Sequence, residues 1–361
     1  MLDRIRVIAA AAAAAVLIIT GAPAPAHAAA PSRTELAPGR AEPAPSRAEL
    51  ALRWAPIHYQ DVDATGSHAL GGKSDYLTRV DFDGDLVGRN NWDHAGQAGA
   101  DFTAAVYYSV VETSTHWFIT YFFFHPRDWV DHPFFETEHE NDGEGTTLAV
   151  EKDGSTYGVL RAAVTVAHTN FYSYTPSGST WTGGRETVDG TLQMQSSPHD
   201  AFTHPVTAQE VQGHGLKAYP QYKINGDGIV YYPAAEGEVP SSGNDRDVTY
   251  QLIDMFAPGG LWAQRNTASL FVHLGTFAGD DSGDCGVGTW ECSTDSANAP
   301  WGWDDGDDAV ARGEIATDPA KLSAEYFTIP GGVSRGYTFN PYAGAAEALR
   351  TADRVLPRTV D

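Results

Sequence analysis

The densest run of side chains able to hold a cation or move a proton is Glu138-His139-Glu140-Asn141-Asp142-Gly143-Glu144-Gly145, which leads into an apolar stretch from Thr146. In an extended segment, residues two apart share a face, so Asp142 and Glu144 point the same way. A tight turn at Asp153-Gly154 would set His139 opposite His168 on the following strand. Two carboxylates and two imidazoles would then meet at one end of a hairpin. Strict alternation puts His139 on the other face from Asp142, so a shared site needs a bulge, which Asn141 or Gly143 could supply. The chemistry this suggests is a divalent cation held by His139, Asp142, Glu144 and His168. Oxygen-rich ligation favours Ca²⁺ or Mg²⁺, with Zn²⁺ behind them. The competing reading is an acidic surface loop with hydrogen-bonded histidines.

Other residues are candidates for ligand contact. His214 sits between Gly213 and Gly215, where missing side chains let a ligand or another backbone come close. The segment His125-Pro126-Arg127-Asp128-Trp129 follows an aromatic run, and Arg127 with Asp128 would orient a ligand or form a structural ion pair. Asp81-Phe82-Asp83-Gly84-Asp85, followed by Asn90, Asn91, Asp93 and His94, reads as a solvated turn or as a second, structural cation site. The stretch from Gly279 to Asp308 carries nine acidic residues and no basic one, with Trp290, Trp301 and Trp303 interspersed. It reads either as an acidic loop tucked on the sheet edge or as a carbohydrate platform. No G-x-S-x-G or H-E-x-x-H motif occurs to mark a nucleophile or a zinc hydrolase.

The elements that must position these residues are mostly strands. Ala105 to Glu112 and Trp117 to Phe124 are β-branched and aromatic, and read as paired antiparallel core strands. Thr146 to Glu151 and Tyr157 to His168 read as a hairpin. Further strands are expected near Val206 to Val211, Ile229 to Tyr232, Val248 to Ile253 and Ser269 to Leu274. Helix signals come late, at Asp318-Pro319 and at Asn340-Pro341 towards Pro357. The fold class expected is mainly β, an antiparallel β-sandwich with long loops and one or two short C-terminal helices.

Arg4 and Arg6 precede an apolar run, Val7 to Ile19, that ends in Ala26-His27-Ala28. This is the pattern of a cleaved signal peptide over 1–28, and the run is too short to span a bilayer. Residues 29–47 are rich in Ala, Pro, Glu, Arg and Ser and read as a flexible linker. Residues 48–361 then form a single elaborated domain, secreted and extracellular, with no transmembrane segment in the mature chain. In that compartment Cys285 and Cys292 are expected to form a disulfide closing a short loop. Acidic residues number 47 against 23 basic ones, a net charge of -24, which excludes nucleic acid as a natural partner.

The segment from His139 to Glu144 resembles the H-x-x-D-W-E core of two related groups. These are the necrosis- and ethylene-inducing secreted proteins, with their GHRHDWE heptad, and the vacuolar protein sorting sixty-two-like domains. His139, Asp142 and Glu144 match the first His, the Asp and the Glu. Asn141 stands where the heptad has its second His, and Gly143 where both groups have Trp. Glu210 to Gly215 resembles a G-H-x motif of the sorting-like group. The resemblance implies a β-sandwich whose acidic-His site binds a cation and, in the necrosis-inducing relatives, engages glycosylated membrane lipids. Two functions follow as expectations. One is a cation-binding protein that recognises glycan or glycolipid at a cell surface. The other is an extracellular hydrolase, glycosidase-like or metal-assisted, in which Glu144 or Asp142 acts as acid, base or ligand to a water-activating metal.

Overall fold

The computed structural model describes residues 44–130, 138–279 and 295–343. Ser46 caps a helix, α1 (Arg47–Trp54), its hydroxyl accepting the Glu49 amide while the Glu49 carboxylate takes the Ser46 amide. This reciprocal cap satisfies two amides at the helix start, and it falls at the end of the stretch read as linker. Leu50, Ala51 and Trp54 face the core.

One sheet of thirteen strands follows, eleven of them side by side in a continuous path. They are β1 (Ile57–Asp61), β2 (Ala105–Thr113), β3 (His116–Asp128), β4 (His139–Glu151), β5 (Val159–Ala167), β6 (Asn170–Pro176), β7 (Gly190–Leu192), β8 (Thr203–Gln209), β9 (Leu216–Ala218), β10 (Gly228–Ala234) and β11 (Val248–Asp254). Their spatial order is β9-β8-β1-β10-β11-β2-β3-β4-β5-β6-β7. Strand accounts for 37% and helix for 13%, so the mainly-β expectation holds. The expected antiparallel sandwich is replaced by a nearly closed, barrel-like mixed sheet. Four neighbour pairs are parallel: β1 with β8, β10 with β11, β11 with β2, and β6 with β7. Periodicity could not reveal this, because β11, parallel to both of its neighbours, begins with the same alternation of buried and half-buried residues that an antiparallel strand shows.

Closure matters for function. The edge strand β9 lies against β5, β4 and β7, which carries the segment before it, including His214, to the end of β4.

The β4–β5 hairpin departs from the expected register. Thr146 pairs with Thr165, where a two-residue turn would give it Arg161. Lys152 to Gly158 form a wider loop, with Gly154 and Gly158 at φ +94° and +70°. Its Tyr157 carbonyl accepts the Trp54 indole at 2.9 Å. The shift places His168 beyond β5, near Glu144 and not opposite His139. Asp318 and Pro319 do begin a helix, α2 (Pro319–Tyr326). The second expected C-terminal helix runs into residues outside those described. So do the signal peptide, most of the linker, and the Cys285–Cys292 loop.

Candidate functional site

Asp128, His139, Asp142, Glu144 and His168 line one cleft of about 190 Å³, together with Gly143, Thr169 and Trp303. The sheet brings them together in three steps. Antiparallel β3 and β4 set Asp128 opposite His139 and His125 opposite Asp142. Between these pairs Asn141 faces Pro126, which has no N–H to give the ladder, and Asn141 adopts a left-handed φ of +59°. That reversal puts His139 in the same cleft as Asp142 and Glu144. Asn141 is held there by bonds to the Gly88 and Ala278 carbonyls at 2.7 and 3.1 Å. Last, His168 and Thr169 form the two-residue turn between β5 and β6, with His168 at φ +57°.

Among the described residues, six non-glycine positions have positive φ, and four of them, Asn141, His168, Gln212 and His214, belong to the cleft or the loop behind it. Left-handed backbone costs energy and tends to concentrate where geometry is imposed for function.

Each carboxylate has a distinct environment. Glu144 is 5% exposed. One of its oxygens accepts the His168 amide at 2.7 Å, and the other, buried, has no partner. Burial, with the Asp142 charge beside it, holds the Glu144 carboxyl well above the usual carboxylate range. Burial likewise pushes Asp128 up to about 6, against the opposing pull of His139. Asp142 accepts the Gly143 amide at 2.7 Å and His214 Nδ1 at 2.8 Å. His139 faces the Glu140 carbonyl through Nδ1 at 3.0 Å, so that nitrogen carries the hydrogen. Its Nε2 stands 3.5 Å from Asp128. His168 is half exposed, and its Nε2 meets Glu210 at 2.8 Å, which raises its pKa.

His214, expected to touch a ligand, is fully buried behind the cleft. It bridges Asp142 and Asp75, with Nε2 3.0 Å from Asp75. Burial alone would lower its pKa, but the bonds to both carboxylates carry it to about 10. His214 is therefore a cation locked between two anions. Its ring stacks on His125 at 3.8 Å and 3°, and burial beside that charge holds His125 well below its ordinary value. Arg127 also departs from expectation. Alternation along β3 turns it away from Asp128, and it binds the His68 and Trp92 carbonyls and lies over the Trp92 ring at 4.1 Å. It braces the loops behind the sheet and does not line the cleft.

Gly143 and Gly145 make room for rings from elsewhere in the chain. A Cβ at Gly143 would lie 2.3 Å from Phe122 Cε2, and one at Gly145 would lie 2.4 Å from the Trp303 ring. Trp303 Nε1 donates to the Gly143 carbonyl at 3.1 Å. Trp301 and Trp303 are buried, 1% and 3% exposed, so these two are packing residues and not an exposed sugar platform. In the other acidic segment, Asp81 pairs with Arg79. Asp83, Asp85 and His94 have ligand atoms within 4.8 Å of one another, the one such trio among the described residues. Sequence reasoning missed Asp75 and gave Glu210 no role. Only the position of Glu210 beside Gly213-His214-Gly215 could have flagged it.

No family model matches the chain, and no curated protein does. Solved structures do. They include proteins described as a toxin fold and one described as non-toxic. One, described as NLPPya in complex with glucosamine, is 16% identical, covers 78% of this chain and 89% of that one, and has a TM-score of 0.30. Another, described as a toxin fold for microbial attack and plant defense, is 17% identical over 72% of this chain and 88% of that one, at 0.28. Necrosis and Ethylene inducing Protein 2 from the causal agent of cocoa's Witches Broom disease is 15% identical over 45% of this chain and 74% of that one, at 0.22. At such scores residues of the two folds do not superpose, and the cleft is interpreted from its own geometry. Among the described residues no helix is long and apolar enough to cross a membrane.

Proposed function

We propose that this is an exported protein that holds a divalent cation, Ca²⁺ or Mg²⁺, in the cleft and uses it to bind a glycan or glycolipid head group at a cell surface. The observation that carries the reading is the Glu144 carboxylate, buried beside Asp142 with one oxygen unpartnered. A buried carboxylate without a donor is costly, and a cation removes that cost directly. Asp128, Asp142, Glu144, His139 and His168 supply the oxygen-rich donor set such ions take. The donor atoms are not drawn into a tight trio, and a cleft of about 190 Å³ has room for an ion that keeps several of its waters. In a chain of net charge -24, a bound cation would also provide the positive point that an anionic or hydroxyl-rich head group needs. The resemblance of the His139–Glu144 segment to the H-x-x-D-W-E core agrees with this reading.

Elemental analysis of the purified protein beside an Asp142→Ala, Glu144→Ala variant tests the cation. About one equivalent in the wild type and none in the variant is expected. An absence of metal in both, after incubation with each ion, overturns the reading. Glycan and glycolipid arrays with and without chelator test the ligand, and binding unchanged by chelator would contradict a cation-mediated contact.

The hydrolase alternative draws on the same Glu144. A carboxyl whose pKa is raised by burial is suited to general-acid chemistry. Turnover of polysaccharide substrates that is lost in Glu144→Gln while binding persists would favour it.

A further inference from the structure

The loop between β9 and β10 carries a reactive pair of residues that has no part in the cleft. Asn225-Gly226 is the one Asn-Gly pair in the chain, and both residues are exposed. Gly226 takes a φ of +120°, where a side chain would be strained, and nothing lies within 4 Å of where its Cβ would be. The pair is anchored only at its two ends. The Asn225 amide donates to Asp61 Oδ1 at 2.9 Å, and the Gly226 carbonyl accepts Arg246 Nη2 at 3.0 Å. Between these anchors the Asn225 carboxamide and the Gly226 N–H have no partner among the described residues.

That is the arrangement in which an asparagine attacks itself. The peptide nitrogen that follows an Asn can add to the side-chain carbonyl carbon and close a five-membered ring. A side chain on the following residue hinders the approach, and a hydrogen bond on the nitrogen withholds it. Neither obstacle is present at Gly226. Other exposed asparagines keep one or the other. After Asn266, the Thr267 amide is bonded to the Gln264 carbonyl at 2.8 Å. Asn244 has its own Oδ1 held by Arg246 Nε at 3.0 Å, and a side chain follows it on Asp245.

We propose that Asn225 is a modification site at which the folded chain deamidates without an enzyme. The Gly226 nitrogen bonds to Asn225 Cγ and gives up its proton to water, while the bond from Cγ to Nδ2 breaks and releases ammonia. A water molecule then opens the resulting succinimide at one of its two carbonyls. One opening leaves aspartate at 225, and the other leaves isoaspartate, whose main chain runs through Cβ and Cγ. The sum is one water consumed and one ammonia released, with no change of oxidation state. Either product adds a negative charge beside Asp61 to a chain whose net charge is already -24. Isoaspartate also lengthens the main chain by one carbon at the residue whose amide bonds Asp61.

Ageing the full chain in mildly alkaline buffer at physiological temperature, then mapping its peptides by mass spectrometry, tests the assignment. The peptide carrying residue 225 should gain the mass difference between an amide and an acid before any other Asn-containing peptide does. The intact chain should focus at a more acidic position, shifted by a single charge. Neutral hydroxylamine, which cleaves succinimides, should cut the native chain between residues 225 and 226. Asn225→Ser, a change at an exposed position, should fold and should remove both the cleavage and the early charge shift. A residue 225 that keeps its amide in the native chain overturns the assignment, whether or not the same chain loses it in urea. Deamidation that appears first at Asn244 or Asn266 overturns it as well.

Discussion

Exchanging Glu144 for Gln separates a cation-binding cleft from a purely structural one. Glu144 keeps one oxygen on the His168 amide, while the other has no partner and the carboxyl is pushed well above its usual range by burial and by Asp142. Without a cation, burial and the Asp142 charge favour the protonated form of the group, to which Gln is close to an isostere. The amide oxygen retains the His168 bond and the amide nitrogen takes the place of a hydroxyl. The metal-free variant should therefore match the wild type to within about 0.5 kcal/mol or exceed it. With a cation the two diverge, because a charged ligand oxygen is gone, and an affinity loss of about 100-fold is expected. At a free-ion concentration of 100 times the wild-type dissociation constant, the wild type gains about 2.7 kcal/mol and the variant about 0.4 kcal/mol. In a domain of this size that corresponds to rises in Tm of about 5 °C and under about 1 °C. Calorimetric melts in chelator and across Ca²⁺ and Mg²⁺ series measure both. An equal gain in the variant would show that Glu144 does not ligate the ion. A metal-free variant weaker by several kcal/mol would refute the protonation argument itself.

Other perturbations follow from the same geometry. His214→Ala leaves Asp75 and Asp142 buried without their shared cation, and urea unfolding should show a loss of about 3–5 kcal/mol. Because the folded pKa of His214 is raised to about 10, its contribution is complete below its unfolded value near 6.5 and is lost as pH rises through 10, so alkaline melts of the wild type should fall over that window. Asp128 is also raised, to about 6, so the metal-free protein should lose up to about 3 kcal/mol as pH rises from about 4 past 6. Saturating cation should flatten that slope, and a slope unchanged by cation would count against Asp128 as a ligand. Gly143→Ala forces a Cβ into the buried Phe122 ring, and chemical denaturation should register a loss of about 1–3 kcal/mol.

Much of the cleft was legible in the chain because it depends on short-range pattern. The two-residue spacing of Asp142 and Glu144 places both on one face in any strand, and the need to reverse the chain near Asn141 followed from alternation alone. The register was not legible. Asp153-Gly154 looks like a tight hairpin turn, but the contact of Tyr157 with Trp54 of α1 widens the loop, and that contact spans about a hundred residues. The same limit hid Asp75 and the buried state of His214, since nothing local distinguishes a histidine that meets a ligand from one clamped between carboxylates. The parallel strand pairs were hidden for another reason: the alternation along a strand such as β11 is the same whichever way its neighbours run.

The indole of Trp303 over Gly143 has a kinetic consequence. The cleft is walled by Asp128, His139, Asp142, Glu144, His168 and Trp303, and its back is braced by Asp75 and His214, so most of the described chain must be in place before it exists. Contacts of such sequence separation form slowly. A nascent chain that has emerged only as far as Glu144 already carries the acidic segment but has neither the ring that covers it nor the imidazolium behind Asp142. On the proposed reading, ion capture would be deferred to the end of folding, and any fragment cut short of residue 303 should be blind to the cation.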